Sequence, residues 1–138
     1  MGIVEINAEF KMKSKLEIYA LSICFASMIF LVIASSIGIY SIFEITVPKF
    51  TISSYDYNKY QTNDAYWNYI NNEYSQDNKA ATRPNREVLT KQRFDKFSLV
   101  IKAEQREGFQ ALLKSLIFIL VAGSALFIHW KIAKNSRE

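Results

Sequence analysis

The side chains that could carry acid–base, redox or metal chemistry are few in this chain and lie far apart. His129 is the only histidine and Cys24 the only cysteine among 138 residues. A catalytic triad, a disulfide or a multi-cysteine metal site needs more of these side chains than the chain has. Glu104 and Glu107 form a carboxylate pair, but they lie among lysines and arginines, as on a solvated helix face. We therefore expect no catalytic residue, no metal, no cofactor and no small-molecule substrate.

Two long apolar stretches determine the fold prediction. The first, residues 18–43, contains no charge, and the second, residues 115–130, extends back to Phe109 if Lys114 directs its ammonium to the interface. A helix needs roughly 20 apolar residues to cross a bilayer. The sequence thus predicts an all-α membrane protein with two transmembrane helices in a hairpin. A mainly helical extracytoplasmic segment of 60 residues, 48–107, separates the spans.

The predicted organisation has five parts. They are a polar N-terminal tail (1–15), transmembrane helix 1 (16–47), the extracytoplasmic segment (48–107), transmembrane helix 2 (108–130) and a basic C-terminal tail (131–138). The first helix should begin near Lys15 and end before Pro48, because proline disfavours helical geometry in the preceding residue. An alternative is that the first span is a cleaved signal peptide, although its apolar region is longer than such peptides have.

Local signals divide the segment between the spans. Residues 50–53 predict a short extended linker, after which Ser53 or Ser54 caps a polar, aromatic helical segment. Residues 76–82 predict a polar turn. Pro84 suits the first turn of a further helix, which we expect to continue unbroken from about Asn85 into the second span.

Small residues recur along both predicted spans at alternating spacings of four and three. This is the seam of a left-handed helix pair, and small residues there let backbones approach closely, because lipid provides no hydrophobic drive between helices. The first set is Ala20, Cys24, Ser27, Ala34, Gly38 and Ser41, with Leu31 between them. The second is Gly108, Ala111, Ser115, Ala122 and Ala125, with Phe118 between them. The pattern predicts a helix-packing interface within the chain, between copies or with a larger membrane protein.

Aromatic residues concentrate in the segment between the spans. Tyr60, Trp67 and Tyr74 recur at helical spacing, and Phe94 and Phe97 lie on or near one face of the following helix. We expect these five residues to bind a partner. Two alternatives remain open: the rings form a small core, or they stack on sugars.

The charge pattern limits the partners and favours one orientation. The net charge of +4 is spread along the chain, and no basic stripe suggests nucleic acid. Basic residues beside the spans are equally numerous in the tails and in the loop. Loops longer than about 60 residues translocate largely regardless of charge, so we expect both termini in the cytoplasm. The residue usage favours a bacterial inner membrane.

These patterns predict a small non-catalytic integral membrane protein in contact with membrane lipid. We expect an accessory or assembly subunit that binds a larger membrane complex, or itself, through its small-residue helix faces. The competing hypotheses are a membrane-active or protective factor, such as a pore-forming toxin or an immunity protein, and a short extracellular binding module held by two spans.

Overall fold

The computed structural model describes residues 2–75 and 82–136, with the backbone alone for residues 2–14, 74 and 75. Its elements are α1 (Gly2–Thr46), α2 (Pro48–Thr51), α3 (Ser54–Lys59), α4 (Asn63–Ser75) and α5 (Arg86–Asn135). No strand occurs among the described residues, which confirms the all-α prediction. Of the turn predicted at 76–82, residues 76–81 lie outside the described part.

Helix α1 ends where the sequence predicts but begins earlier. It ends at Thr46, ahead of Pro48, and begins at Gly2 rather than near Lys15. No proline occurs before Pro48, so nothing in residues 3–15 forces the helix to stop. The extended linker predicted at 50–53 was wrong in its first half. Pro48 instead opens the short helix α2, whose end is marked by the Ile52 N–H donating to the Pro48 carbonyl at 3.1 Å.

The aromatic segment forms two helices. Ser53 caps α3 as predicted: its hydroxyl accepts the Asp56 N–H at 3.1 Å and donates to the Asp56 carboxylate at 2.8 Å. A second helix begins a few residues later, where the Thr62 hydroxyl accepts the Ala65 N–H at 3.1 Å. The two caps therefore divide the segment into α3 and α4.

Helix α5 is one continuous helix of 50 residues, which confirms the prediction of an unbroken helix. Asn85 precedes it, and its side-chain oxygen accepts the Glu87 N–H at 3.2 Å. Pro84 lies just before the helix rather than in its first turn.

The described chain divides into two compact units. The helix-pair unit contains the residues up to Ile39 and from Ala111 onward, and the middle unit contains Tyr40–Gln110. The helix-pair unit consists of parts of α1 and α5. The middle unit contains α2, α3 and α4 with the adjoining ends of α1 and α5.

Two stretches of helix are long and apolar enough to cross a bilayer: Lys15–Thr46 of α1, and α5. Only 22% of the most apolar 18-residue window of the first is buried, and 11% of that of the second. Core helices of soluble proteins are mostly buried, whereas most of each of these two windows is exposed. The exposed side chains include Phe25, Phe30, Val32, Phe118, Leu120 and Phe127.

Candidate interaction sites

The small residues of α1 are buried within a single chain. In the helix-pair unit these are Ala20, Cys24, Ser27, Ala34 and Gly38. The Cys24 thiol lies 3.8 Å from the Leu126 carbonyl oxygen of α5. A Cβ atom built on Gly38 would lie 2.8 Å from the Ser115 hydroxyl, so the two backbones approach closely here.

The contact face of α5 departs from the predicted pattern at residue 118. Ser115 and Ala122 are buried, whereas Ala111 and Ala125 are half-buried. Phe118, expected between them, is 61% exposed. Ile119 is half-buried, and Leu112 and Leu126, which sequence reasoning did not select, are half-buried like Ala111 and Ala125. The predicted and observed faces share residues 108, 115 and 122, so periodicity alone does not distinguish them.

In the middle unit, the end of α1 meets α5 at Gly108. A Cβ atom there would lie 2.8 Å from the Glu44 Cβ, 3.1 Å from the Ile45 Cγ1 and 3.1 Å from the Ser41 carbonyl oxygen. Gln105 adds a polar contact, because its side-chain amide donates to the Ile45 carbonyl at 3.0 Å. Glycine is therefore needed at residue 108 for a close approach of backbones.

Most of the predicted partner-binding aromatics have neighbours within the middle unit. The Tyr60 ring lies 5.7 Å from that of Tyr66 and 5.6 Å from that of Phe97. Trp67 is half-buried, and Phe94 is 58% exposed. The side chain of Tyr74 lies outside the described residues. The structure thus places Tyr60 and Phe97 in a small core and leaves Phe94 open.

Sequence reasoning missed a second feature of this unit, the lysine of α3. The Lys59 ammonium lies 3.4 Å from the centre of the Tyr69 ring and 5.1 Å from that of Tyr60. It also lies 3.9 Å from the Asp56 carboxylate, and its side chain is only 11% exposed. Burial lowers the pKa of Lys59, but Tyr69 and Tyr60 together raise it more, so the pKa lies above its ordinary value. The Asp56–Lys59 spacing was readable in the sequence; the Tyr69 contact was not.

The described residues of the middle unit line two surface clefts. The α3–α4 cleft, of about 580 Å³, is lined by Tyr55, Asn58, Lys59, Ala65, Asn68, Tyr69, Asn72 and Glu73. The α4–α5 cleft, of about 720 Å³, is lined on its two helices by residues that include Trp67, Ile70, Gln92, Asp95, Lys96 and Leu99. Both volumes fall in the range of small-molecule sites, about 300–1,000 Å³.

The residues first considered for chemistry have structural neighbours. His129 Nδ1 lies 2.8 Å from the Ala125 carbonyl, and its ring packs edge-on against Tyr19 at 6.1 Å. Within residues 2–75 and 82–136, no cluster of three or more His, Cys, Asp or Glu could hold a metal ion. Cys24 is a buried free thiol in the helix pair.

Comparison with protein-family models, curated proteins and solved structures finds no match to this chain. The class is therefore defined by the structure alone. It is an all-helical protein with two helices long and apolar enough to span a membrane and a middle unit that carries two surface clefts.

Proposed function

We propose that this chain is a small non-catalytic integral membrane protein that crosses lipid twice as a hairpin. In this proposal it acts as an accessory or assembly subunit of a larger membrane complex or of its own oligomer. The single observation that carries the proposal is the distribution of small and large side chains around the two long helices. Small residues are buried where the helices meet, and large apolar residues are exposed on the remaining faces. A lipid surrounding suits such faces and supports the proposal.

The expected partner-binding surface moves away from the small-residue faces of the two long helices. The small-residue faces were expected to bind either a partner or the other span, and in this chain they are covered by the other helix. Their role in the proposal is to hold the hairpin together. The partner then contacts the outward faces of the helices or the middle unit.

The proposed topology places both termini in the cytoplasm of a bacterium and the middle unit outside the inner membrane. Support comes from the length of the segment between the spans, since long loops translocate regardless of their charge. Cysteine accessibility tests it. With Cys24 replaced by Ser, a single cysteine at Asn68 should react with a membrane-impermeant maleimide in intact cells. A cysteine at Ser136 should react only after lysis.

Two exposed serines of α1 bond their own helix, which argues against a water-lined stripe at their positions. The Ser22 hydroxyl donates to the Ile18 carbonyl at 2.8 Å, and the Ser36 hydroxyl donates to the Val32 carbonyl at 2.9 Å. Both hydroxyls therefore bond their own helix and do not need water along the span. A protective factor that does not form a pore remains compatible with the same fold.

Purification of the tagged protein in mild detergent, followed by identification of co-purifying proteins, tests the proposal. We expect Gly38→Leu and Ala122→Leu to separate the helices and reduce co-purification, while the protein still resists carbonate extraction. Gly123→Leu is the matched control, because no neighbour lies within 4 Å of a Cβ at residue 123. Equal recovery of partners with all three variants refutes a hairpin-dependent partner. Release of the wild type by carbonate refutes membrane insertion.

A further inference from the structure

The α3–α4 cleft has a lining that the proposed subunit role does not use. Its residues belong to two short helices that pack against each other in the middle unit. Positions 65, 68, 69, 72 and 73 lie on one face of α4, and positions 55, 58 and 59 lie on the facing side of α3. We propose that this cleft binds a neutral saccharide.

Three carboxamides provide the polar groups. Asn58, Asn68 and Asn72 all line the cleft and are exposed. None of their side chains hydrogen-bonds to another residue in the described part of the chain, so their bonding groups are open to a ligand. Each carboxamide both donates and accepts hydrogen bonds. A sugar hydroxyl also does both, so a row of hydroxyls matches a row of carboxamides.

An open aromatic face provides the apolar contact. The Tyr55 ring lines the cleft, its centre lies 6.0 Å from the Lys59 ammonium, and the residue is 68% exposed, which leaves ring surface open to a ligand. The C–H face of a sugar ring is apolar, and aromatic rings with one polar end suit ligands of this mixed character. Ala65 of α4 also lines the cleft, and its single methyl group leaves room for the sugar ring.

The charges of the cleft select a neutral ligand. Among the described residues that line it, Lys59 is the only cation, and that ammonium is covered by Tyr69 and faces Asp56 at 3.9 Å. Glu73 adds one carboxylate to the lining, beyond the Asp56 carboxylate that Lys59 already faces. A phosphate or an acidic sugar would meet a carboxylate and no free cation. A saccharide without charge is not repelled by the carboxylate and needs no cation.

The test measures binding of neutral sugars to the full-length protein in a detergent without a sugar headgroup. Saturation-transfer NMR with cellotriose, maltotriose and chitotriose at millimolar concentration gives the soluble-sugar arm. Nanodiscs with or without a diglucosyl lipid give the membrane arm, which separates a glycolipid headgroup from a free oligosaccharide. Inorganic phosphate is the charged comparator.

We expect at least one neutral sugar to bind, and binding to weaken about tenfold in Tyr55→Ala and about 3- to 10-fold in Asn68→Ala. Tyr57→Ala is the matched control, since Tyr57 lies on the same helix but does not line the cleft. Tyr55 and Asn68 are exposed, so we expect their alanine variants to fold, and circular dichroism checks this. Absence of binding in both arms overturns the proposal. Equal binding by Tyr55→Ala and Tyr57→Ala, or stronger binding of phosphate, also overturns it. The cleft lies within the middle unit, so this outcome is separate from that of the membrane proposal.

Discussion

Three glycines in the two long helices differ in what surrounds them, and a single added methyl group tests the helix contact. At residue 108 the nearest obstacles are the Glu44 Cβ and a backbone carbonyl. At residue 38 the nearest obstacle is the Ser115 hydroxyl, and at residue 123 there is none within 4 Å. An alanine Cβ therefore meets fixed atoms at residue 108, a hydroxyl that can rotate at residue 38 and open space at residue 123.

The expected magnitudes follow from these distances. Alanine gains about 1 kcal/mol over glycine in a helix interior. At residue 108 the Cβ would meet two atoms that no side-chain rotation can remove, so the helices must separate, at a cost of about 1–3 kcal/mol. Gly108→Ala should thus lower the free energy of unfolding by up to about 2 kcal/mol.

The other two variants should be milder. In Gly38→Ala the Ser115 hydroxyl must turn and lose its 2.8 Å bond to the Leu112 carbonyl. That loss of about 1 kcal/mol offsets the helical gain, so we expect little net change. Gly123→Ala meets nothing and should raise the free energy of unfolding by about 0.5–1 kcal/mol.

The assay is reversible unfolding with SDS in mixed micelles, with helix separation followed by energy transfer between dyes on the two tails. The order of stability should be Gly123→Ala above Gly38→Ala above Gly108→Ala. Three equal values would refute the close approach of the two helices. A large loss in Gly123→Ala alone would mean that another helix covers that face.

Three further outcomes test the middle unit. Leu89→Ala should destabilise the middle unit by about 2–5 kcal/mol, because Leu89 is 1% exposed. Phe94→Ala should change stability by less than about 0.5 kcal/mol, because Phe94 is 58% exposed. Thermal unfolding measures both changes. Asp64→Asn, which removes the exposed ion pair with Arg83, should cost at most about 1 kcal/mol, and a larger loss would contradict the exposure of that pair. The pKa of Lys59 is raised in the folded state, so the charged lysine stabilises the fold at neutral pH. That contribution should disappear as the pH rises above 10.5. Stability should therefore fall more steeply there in the wild type than in Lys59→Met.

Periodicity was sufficient to predict the long elements of this fold. The stop before Pro48, the cap at Ser53 and the unbroken α5 each follow from local chemistry that acts within a few residues. Residues 50 and 51 of α2 were predicted as extended because a four-residue helix has too few positions to show a period. The division at Thr62 also escaped prediction, since a threonine hydroxyl caps a helix only if the chain turns there.

The contact sites were harder to predict, because they depend on which face of one helix meets another. Both possible faces of α5 contain Gly108, Ser115 and Ala122, and they differ only in alternate turns. The small residues at 111 and 125 favoured one face, but in the structure residues 111, 112, 125 and 126 are all half-buried and Phe118 is exposed. The α3–α4 cleft depends on Tyr69 meeting Lys59 from a different helix, and no spacing within one helix contains that information.

The burial of the small residues within one chain has a consequence for how such a protein can bind a partner. A face covered by its own second helix can bind another chain only if the hairpin opens, which in the proposed topology would expose the buried Ser27 to lipid. An exposed polar group in hydrocarbon is costly, so opening is disfavoured unless the partner bonds that hydroxyl. Partner binding at the outward faces avoids that cost. Substitution of the outward Phe25 or Phe127 by alanine should therefore weaken association while leaving the helix pair intact. Substitution of the buried small residues should weaken both together.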